Sequence, residues 1–472
     1  MHWMLKSARF LLRWLRSLQP RSLVLALVLV NLSVTVPLAA SLNIWEDEAF
    51  SLNTSGAGVG YAIRQALHFE LQPPLYFVLL TLWRNADASV FFARLFSVVC
   101  AGLTIYLMAT ISKQIFPGVH PAWFAAAVVF NPFLIYAAVE IRVYAMVILL
   151  SALLLLVFFK GYLDPDARPA SRIWYGILAA SALYTQYYMG FLLVANAVAL
   201  LILKRWLRLR IYLVQMLAVA AYSAPLLFII PDQVSSEFAV SKGKVSCFDS
   251  VREVSKRAVQ YVFPSDWARS NRARLLYVGI LLGSLGMAIK FRRLITSSDI
   301  VMWTVTVTLF LCFIALINLT VRMFLEEPHM AALFLPAIIC AFSLVKGMGD
   351  RKILLTWTIL VVFLCGSSLL IKYKLMAKPG DFKRVASYIM ASEGPGQAVL
   401  AFNATAGLVL AHYYSGPNPL LSLPKECDLR SSRNGRLWDQ GREADPETSV
   451  GGFRRRALFV ARRKRGLRTI QQ

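Results

Sequence analysis

The chain has 472 residues, of which 58% are hydrophobic and only 16% charged, and a formal net charge of +25. Soluble domains carry about a quarter of charged residues, so this composition, with a mean hydropathy of +0.59, excludes an ordinary water-soluble globular protein. The positive charge does not read as a nucleic-acid surface: much of it stands in short clusters beside apolar runs, as basic residues retained on the cytoplasmic face of a membrane do.

The first apolar run, residues 22–42, is long enough for a bilayer core of about 30 Å and reads as a transmembrane helix, not a cleavable signal. Directly after it comes Asn43-Ile-Trp-Glu-Asp-Glu-Ala-Phe-Ser51, which puts Glu46, Asp47 and Glu48 at the mouth of that span. Residues 59–69 are amphipathic, with Val59, Ala62, Ile63, Ala66 and Leu67 opposite Arg64, Gln65 and His68. The apolar element 73–83 that follows is only about half a crossing length.

Sidedness decides what that short element does. If it does not cross, segments 6–21, 160–172, 204–210, 290–293 and 346–352, all basic, fall on one side together with the loop 117–121. If it crosses, the cluster 204–210 and every later one face outward. The first arrangement obeys the positive-inside rule, so both 59–69 and 73–83 are expected in the outer interface.

That arrangement gives about eleven spans, near residues 22–42, 91–115, 121–139, 143–160, 173–188, 190–203, 211–230, 274–290, 300–319, 329–345 and 353–371. The external parts are the loops 43–90 and 231–273 and a tail from 372. The tail reads as a small α/β appendage, with helical patterns at 381–392 and 405–414 around a strand at 398–402. Its Arg-rich end, 453–468, departs from the charge rule, from which long translocated domains are largely exempt. The expected organisation is an all-α polytopic membrane domain over 1–371 and a C-terminal extracytoplasmic α/β segment over 372–472.

Of six cysteines, Cys100, Cys312, Cys340 and Cys365 fall inside spans, where a small buried hydrophobe is the ordinary role. Cys247 and Cys427 fall outside, in one oxidising compartment, which makes them a candidate disulfide. No spacing matches a zinc site.

Three polar groups share the outer face: Glu46-Asp47-Glu48, Glu140-Ile-Arg142-Val-Tyr144 between the third and fourth spans, and Arg322 to His329 between the ninth and tenth. Arg94 begins the second span on the same face. Each has a plain reading: a solvated helix end, an interfacial pair with a snorkelling arginine, a histidine that starts a helix after a proline. Trp45 and Phe50 fit an aromatic belt. Their convergence on one face is the stronger observation. Carboxylates beside arginines suit a site where a hydroxyl gives up its proton while an anionic leaving group is held. The same charges would serve a transporter of a lipid-linked glycan or an anion, with proton-relay carboxylates. No inverted repeat is evident, and the absence of a Walker or Gly-rich phosphate loop speaks against an ATP-driven pump.

The order of these motifs resembles the GT-C superfamily of glycosyltransferases, and within it the family 39-like group of protein O-mannosyltransferases and the bacterial lipid A aminoarabinose transferase. The resemblance lies in Trp45-Glu-Asp-Glu-Ala-Phe-Ser51, Gln72-Pro-Pro-Leu-Tyr-Phe77, Ala93-Arg-Leu-Phe-Ser97, Asn131-Pro-Phe-Leu-Ile-Tyr136 and Glu140-Ile-Arg-Val-Tyr144. It extends to a proline-bearing span at 330–336 and to Gly380-Asp-Phe-Lys-Arg-Val-Ala-Ser-Tyr388; the first 145 residues carry its specific part.

The resemblance implies inverting transfer of a sugar from a polyprenyl-phosphate donor to a hydroxyl of a lipid, polysaccharide or protein. The reaction would lie on the extracytoplasmic face of a bacterial plasma membrane, among membrane lipids and without nucleic acid. It implies Asp47 as catalytic base, with Glu48 orienting or tuning it, and Glu140 as the acidic position of the second external loop. Arg94 and Arg142 would hold the lipid phosphate, with Tyr144, Glu46, Gln72 and His329 about the substrate. Many relatives carry His where this chain has Gln72, which can neither shuttle a proton nor act as a typical metal ligand. The first loop has no Asp-x-Asp, so no cofactor is expected and a divalent metal is not indicated.

Overall fold

Inside a bilayer every backbone N–H and C=O must find its partner within the protein, and helices do this segment by segment. The computed structural model describes residues 20–116, 120–231, 233, 246–266, 268, 270–290, 296–319, 327–346, 351–376, 378, 380–402, 404–423 and 458–460. These residues are mostly helical. In chain order, α1 is Pro20–Ser41, α2 Glu46–Thr54, α3 Val59–His68, α4 Leu75–Arg84 and α5 Val90–Ile115. Next come α6 Pro121–Val129, α7 Pro132–Ala138, α8 Tyr144–Phe158, α9 Pro169–Leu183, α10 Met189–Ile202 and α11 Trp206–Leu227. Then follow α12 Cys247–Val262, α13 Asn271–Lys290, α14 Ser297–Leu319, α15 Ala331–Lys346 and α16 Arg351–Lys372. The chain continues through α17 Phe382–Ser392, β1 Val399–Phe402, α18 Ala404–Leu410, β2 Leu420–Leu423 and β3 Leu458–Val460. Arg322 to Glu326, Cys427 with its candidate disulfide to Cys247, and most of 453–468 lie outside the described residues.

Among the described residues six helices are long and apolar enough to cross a membrane: Arg21–Ser41, Val90–Ile115, Tyr144–Leu163, Trp206–Leu227, Ser297–Asn318 and Leu355–Lys372. α6 and α7, bent by 70° at their junction, make a seventh if they are one span. The apolar stretches of α10, α13 and α15 are shorter. Large apolar side chains on α11 (Leu207, Val214, Leu217, Leu227) and α13 (Leu275, Leu276, Leu282) stay exposed, a surface suited to lipid.

Contacts divide the chain into two compact units. The first comprises residues 1–40, 89–228 and 243–375; the second comprises 41–88, 229–242 and 376–472.

In the first unit α5 packs on α6 and α8, α8 on α9, and α14 on α10 and α15. The sequence reads 121–139 as one run, but the structure breaks it at Asn131-Pro132. Pro132 cannot donate to the preceding turn and suits the first position of a new helix. Asn131 caps that helix, its Oδ1 accepting from Phe133 N (3.0 Å) and Leu134 N (3.4 Å), while its Nδ2 donates to Tyr261 O (2.7 Å). A buried polar chain ties three more helices together. Asn196 Nδ2 donates to Tyr175 Oη (2.8 Å), the hydroxyls of Tyr175 and Tyr212 pair at 2.9 Å, and Tyr212 Oη donates to Leu193 O (2.7 Å). At one end of α8, where the helix closes in a π-turn over Phe159–Leu163, the basic loops cap its carbonyls. Arg172 Nε donates to Gly161 O (3.0 Å) and Arg205 Nη1 to Leu163 O (2.7 Å), placing cations where the helix dipole is negative. The segments 160–172 and 204–210, assigned to one side on charge, therefore meet at one end of the first unit.

In the second unit α3 packs against α4, and α18 against α2. α4, at 10 residues, is about 15 Å long, half of a bilayer core. The face of α3 differs in part from the sequence reading: Ala62 and Ala66 are buried with Gln65, while Val59 and Ile63 are exposed. The two alanines let the helix approach closely, which draws the neighbouring Gln65 inside. Strands pair in parallel in the order β2-β1-β3, with Val399 opposite Leu420 and Leu458. Ala386 and Ile389 of α17 pack with Val399 and Leu410 in a small core.

Asn131→Ala removes the cap of α7 and the donor to Tyr261. We expect a loss of about 1–3 kcal/mol, read as a lower unfolding temperature in detergent.

Candidate active site

The chemistry-bearing side chains form two clusters, one in each unit. In the first unit the link between α7 and α8 is not helical, yet it is buried throughout: Val139, Glu140, Ile141, Arg142 and Val143 are all at most 6% exposed. Connecting segments normally run over a surface, because buried charge and backbone must find partners. Here Ser97 Oγ donates to Glu140 O (2.7 Å), fixing the link to α5. One turn earlier on α5, Arg94 is fully buried, and its Nη1 donates to Ala39 O (2.9 Å) in the last turn of α1. That places a cation at the negative end of the α1 dipole.

A column of rings stands beside the link. Phe133 and Tyr136 stack with centroids 6.4 Å apart, and Tyr136 and Tyr144 at 6.2 Å. Lys372 Nζ, from the end of α16, lies 4.5 Å from the Tyr136 ring centre, within cation–π range. His329 sits in a 3₁₀ turn ahead of α15, edge-on to Tyr188 at 6.3 Å and within the electrostatic influence of Arg142. Arg94, Glu140, Arg142, Tyr144 and His329 are thus brought to one end of the first unit, opposite the end that Arg172 and Arg205 cap. Ser97 and Tyr136, which close two of the motifs quoted above, join them without having been given a role from the sequence, as do Tyr188 and Lys372. Ser97 carried a further signal, three positions after Arg94 on one helical face.

In the second unit the three adjacent carboxylates form the first turn of α2, with Trp45 in extended conformation as the N-cap residue. Acidic residues are favoured at a helix N-terminus by the dipole, a structural reason for the cluster that stands beside the functional one. α2 is matched at its other end too, where Arg84 Nη1 donates to Leu52 O and to Ser55 Oγ, both at 2.7 Å.

The three acids are not equivalent. Glu48 lies on the buried stripe of α2 with Ser51, Leu52 and Ser55, and is fully inaccessible. Its Oε2 is 2.8 Å from Lys378 Nζ, whose side chain is 5% exposed. Glu46 and Asp47 are half-buried. Asn43 holds the backbone of Lys378 at two points: its Oδ1 accepts Lys378 N–H (2.7 Å) and its Nδ2 donates to Lys378 O (3.4 Å). Ile44 N–H donates to Tyr413 Oη (2.6 Å). Lys378 and Tyr413 were not read from the sequence.

Gln72 is half-buried, its N–H bonded to Ala66 O (2.9 Å), just after Leu71 turns through a positive φ of 52°. A cavity of about 350 Å³ in this unit is lined by Ser41, Asn43, Asp381, Lys383, Arg384 and Ser387, among others, a size at the lower end for small-molecule sites. Among the described residues no group of three His, Cys, Asp or Glu is arranged to hold a metal ion.

Lys378→Met would remove the Lys378 cation from the buried Glu48 carboxylate. We expect a loss of about 3–5 kcal/mol in unfolding measurements, with most of it recovered in Glu48→Gln/Lys378→Met.

No family model matches the chain, and no curated protein sequence matches it. Among solved structures, the crystal structure of ArnT from Cupriavidus metallidurans bound to undecaprenyl phosphate overlays with a TM-score of 0.44 at 16% identity, covering 90% of this chain and 88% of that one. The apo state of the same protein overlays with a TM-score of 0.41 at 17% identity, covering 84% and 85%.

Proposed function

We propose that this chain is a polytopic membrane glycosyltransferase of the GT-C kind. It moves a sugar from a polyprenyl-phosphate donor to a hydroxyl acceptor on the extracytoplasmic face, with inversion; no cofactor enters this reading, and a divalent metal is not indicated. The proposed architecture keeps about eleven spans and an extracytoplasmic α/β segment after the last of them. The observation that carries the reading is the buried, non-helical link Glu140-Ile-Arg142-Val143, which leads into Tyr144 at the start of α8 and lies with Arg94 at the end of the first unit away from its basic loops. A bundle that needed only to be stable would not bury an acid and an arginine in a connecting segment, since desolvating them offsets most of their attraction. Charges held at such a depth mark a substrate path.

The roles follow from the chemistry of each group. Asp47 takes the proton of the acceptor hydroxyl as general base. The acceptor oxygen bonds to the anomeric carbon as the bond from that carbon to the phosphate oxygen breaks, and the electron pair leaves on the lipid phosphate. Inversion follows from a single in-line displacement. Arg94 and Arg142 stabilise the charge that grows on the phosphate, the guanidinium fork matching two of its oxygens. Glu140 holds and orients the arginines, while Tyr144, Glu46, Gln72 and His329 line the substrate. The donor's own phosphate is the leaving group, so no nucleotide is required.

Membranes containing the protein are incubated with labelled polyprenyl-phosphate sugars, and the label is followed by mass spectrometry. We expect it to move covalently to a new acceptor and to leave polyprenyl phosphate behind; label that only changes sides of the membrane would instead identify a transporter. Asp47→Asn should lower transfer by about 10²- to 10⁴-fold at unchanged expression. An active, normally folded Asn variant would remove Asp47 from the role of base.

A further inference from the structure

We infer that Lys378 is the positioning residue of the reaction: it sets the direction of Asp47 by fixing the neighbouring Glu48, and so makes the C-terminal segment part of the catalytic apparatus. The inference rests on the reading of Asp47 as the general base. Glu48 does not share that task, because its carboxylate is fully buried and engaged by Lys378 Nζ at 2.8 Å.

The geometry is that of a clamp. Asn43, three positions before the first turn of α2, grips both the N–H and the C=O of Lys378, so the lysine backbone cannot slide along it. The Lys378 side chain then reaches forward to Glu48 in that turn. Ile44, between these two points, donates its N–H to Tyr413 Oη. Residues 43, 44 and 48 are therefore each held by the chain beyond residue 375, and Asp47 lies inside the held interval. α18 packs along the same helix. Successive residues of an α-helix project about 100° apart, so pinning Glu48 toward Lys378 turns Asp47 to one fixed direction round the helix. A general base misdirected by a fraction of a hydrogen-bond length loses most of its effect.

A purely stabilising ion pair and a positioning residue differ in what they change. The full-length protein is prepared in detergent as wild type, Lys378→Met, Lys378→Arg and Glu48→Gln/Lys378→Gln, the last keeping a neutral amide pair so that folding survives. Amide hydrogen exchange is followed over residues 44–52, and steady-state transfer is measured with the labelled polyprenyl-phosphate sugar that the wild type turns over. In Lys378→Met we expect exchange over 44–52 to quicken at least about tenfold. We expect kcat to fall by about 10- to 100-fold while KM for the donor changes by less than about threefold. Lys378→Arg should restore most of kcat, and the amide pair should fall between. Unchanged exchange over 44–52 in Lys378→Met overturns the clamp. A Lys378→Met variant that is less stable yet keeps its kcat overturns the positioning role, since the pair is then structural only. A wild type that transfers no sugar overturns the proposed function instead, and the exchange measurement still decides whether Lys378 holds the acidic helix.

Discussion

A carboxylate with no access to water needs partners inside the protein, and Glu48 meets Lys378 at 2.8 Å. Much of the second unit is arranged around that meeting. Asn43 fixes the lysine backbone, Tyr413 holds the chain between, and α18 closes over α2. The two other members of the acidic run sit nearer the surface, so one helical turn contains a fully buried acid and two half-buried ones. Sequence adjacency conceals this division, because consecutive helical residues face different surroundings.

The same rule of paired burial orders the first unit. Arg94 is spent in part on the end of α1, and Arg172 and Arg205 on the end of α8, so cations meet helix carbonyls at both ends of the bundle. What distinguishes the end with Glu140 and Arg142 is that its charges lie inside a link and not on a solvated loop. Aromatic rings and Lys372 flank that link and give it an apolar wall with a cationic edge. A low-polarity surrounding strengthens every charge–charge interaction within it, which suits chemistry on a phosphate leaving group.

How much of this could be read from the residues depended on range. The apolar runs expected to span fall on helices, with 121–139 divided between two, but among the described residues only six helices are long and apolar enough to cross, because helix ends are set by caps and packing as well as by hydrophobic length. The half-length of α4 was equally legible, and so were the charged turn at Glu140 and the arginine that opens α5. The break at Asn131-Pro132 had a local signal, an asparagine cap followed by proline, but the apolar run around it hid the interruption. The burial of Gln65 depended on α4 packing against α3, which the helical pattern alone does not contain. Lys378 was beyond reach, since nothing in the pattern of a sequence couples two residues 335 positions apart.

That separation has a consequence for how the protein is made. The acidic turn of α2 follows the first span, but the lysine that neutralises its buried member follows the last helix of the first unit. During synthesis the ribosome delivers the acid early and its counter-ion only after every intervening helix. A chain stopped short of residue 378 lacks the cation that Glu48 meets in the finished protein. The turn that carries the proposed base thus gains this partner only after the last helix of the first unit has been synthesised.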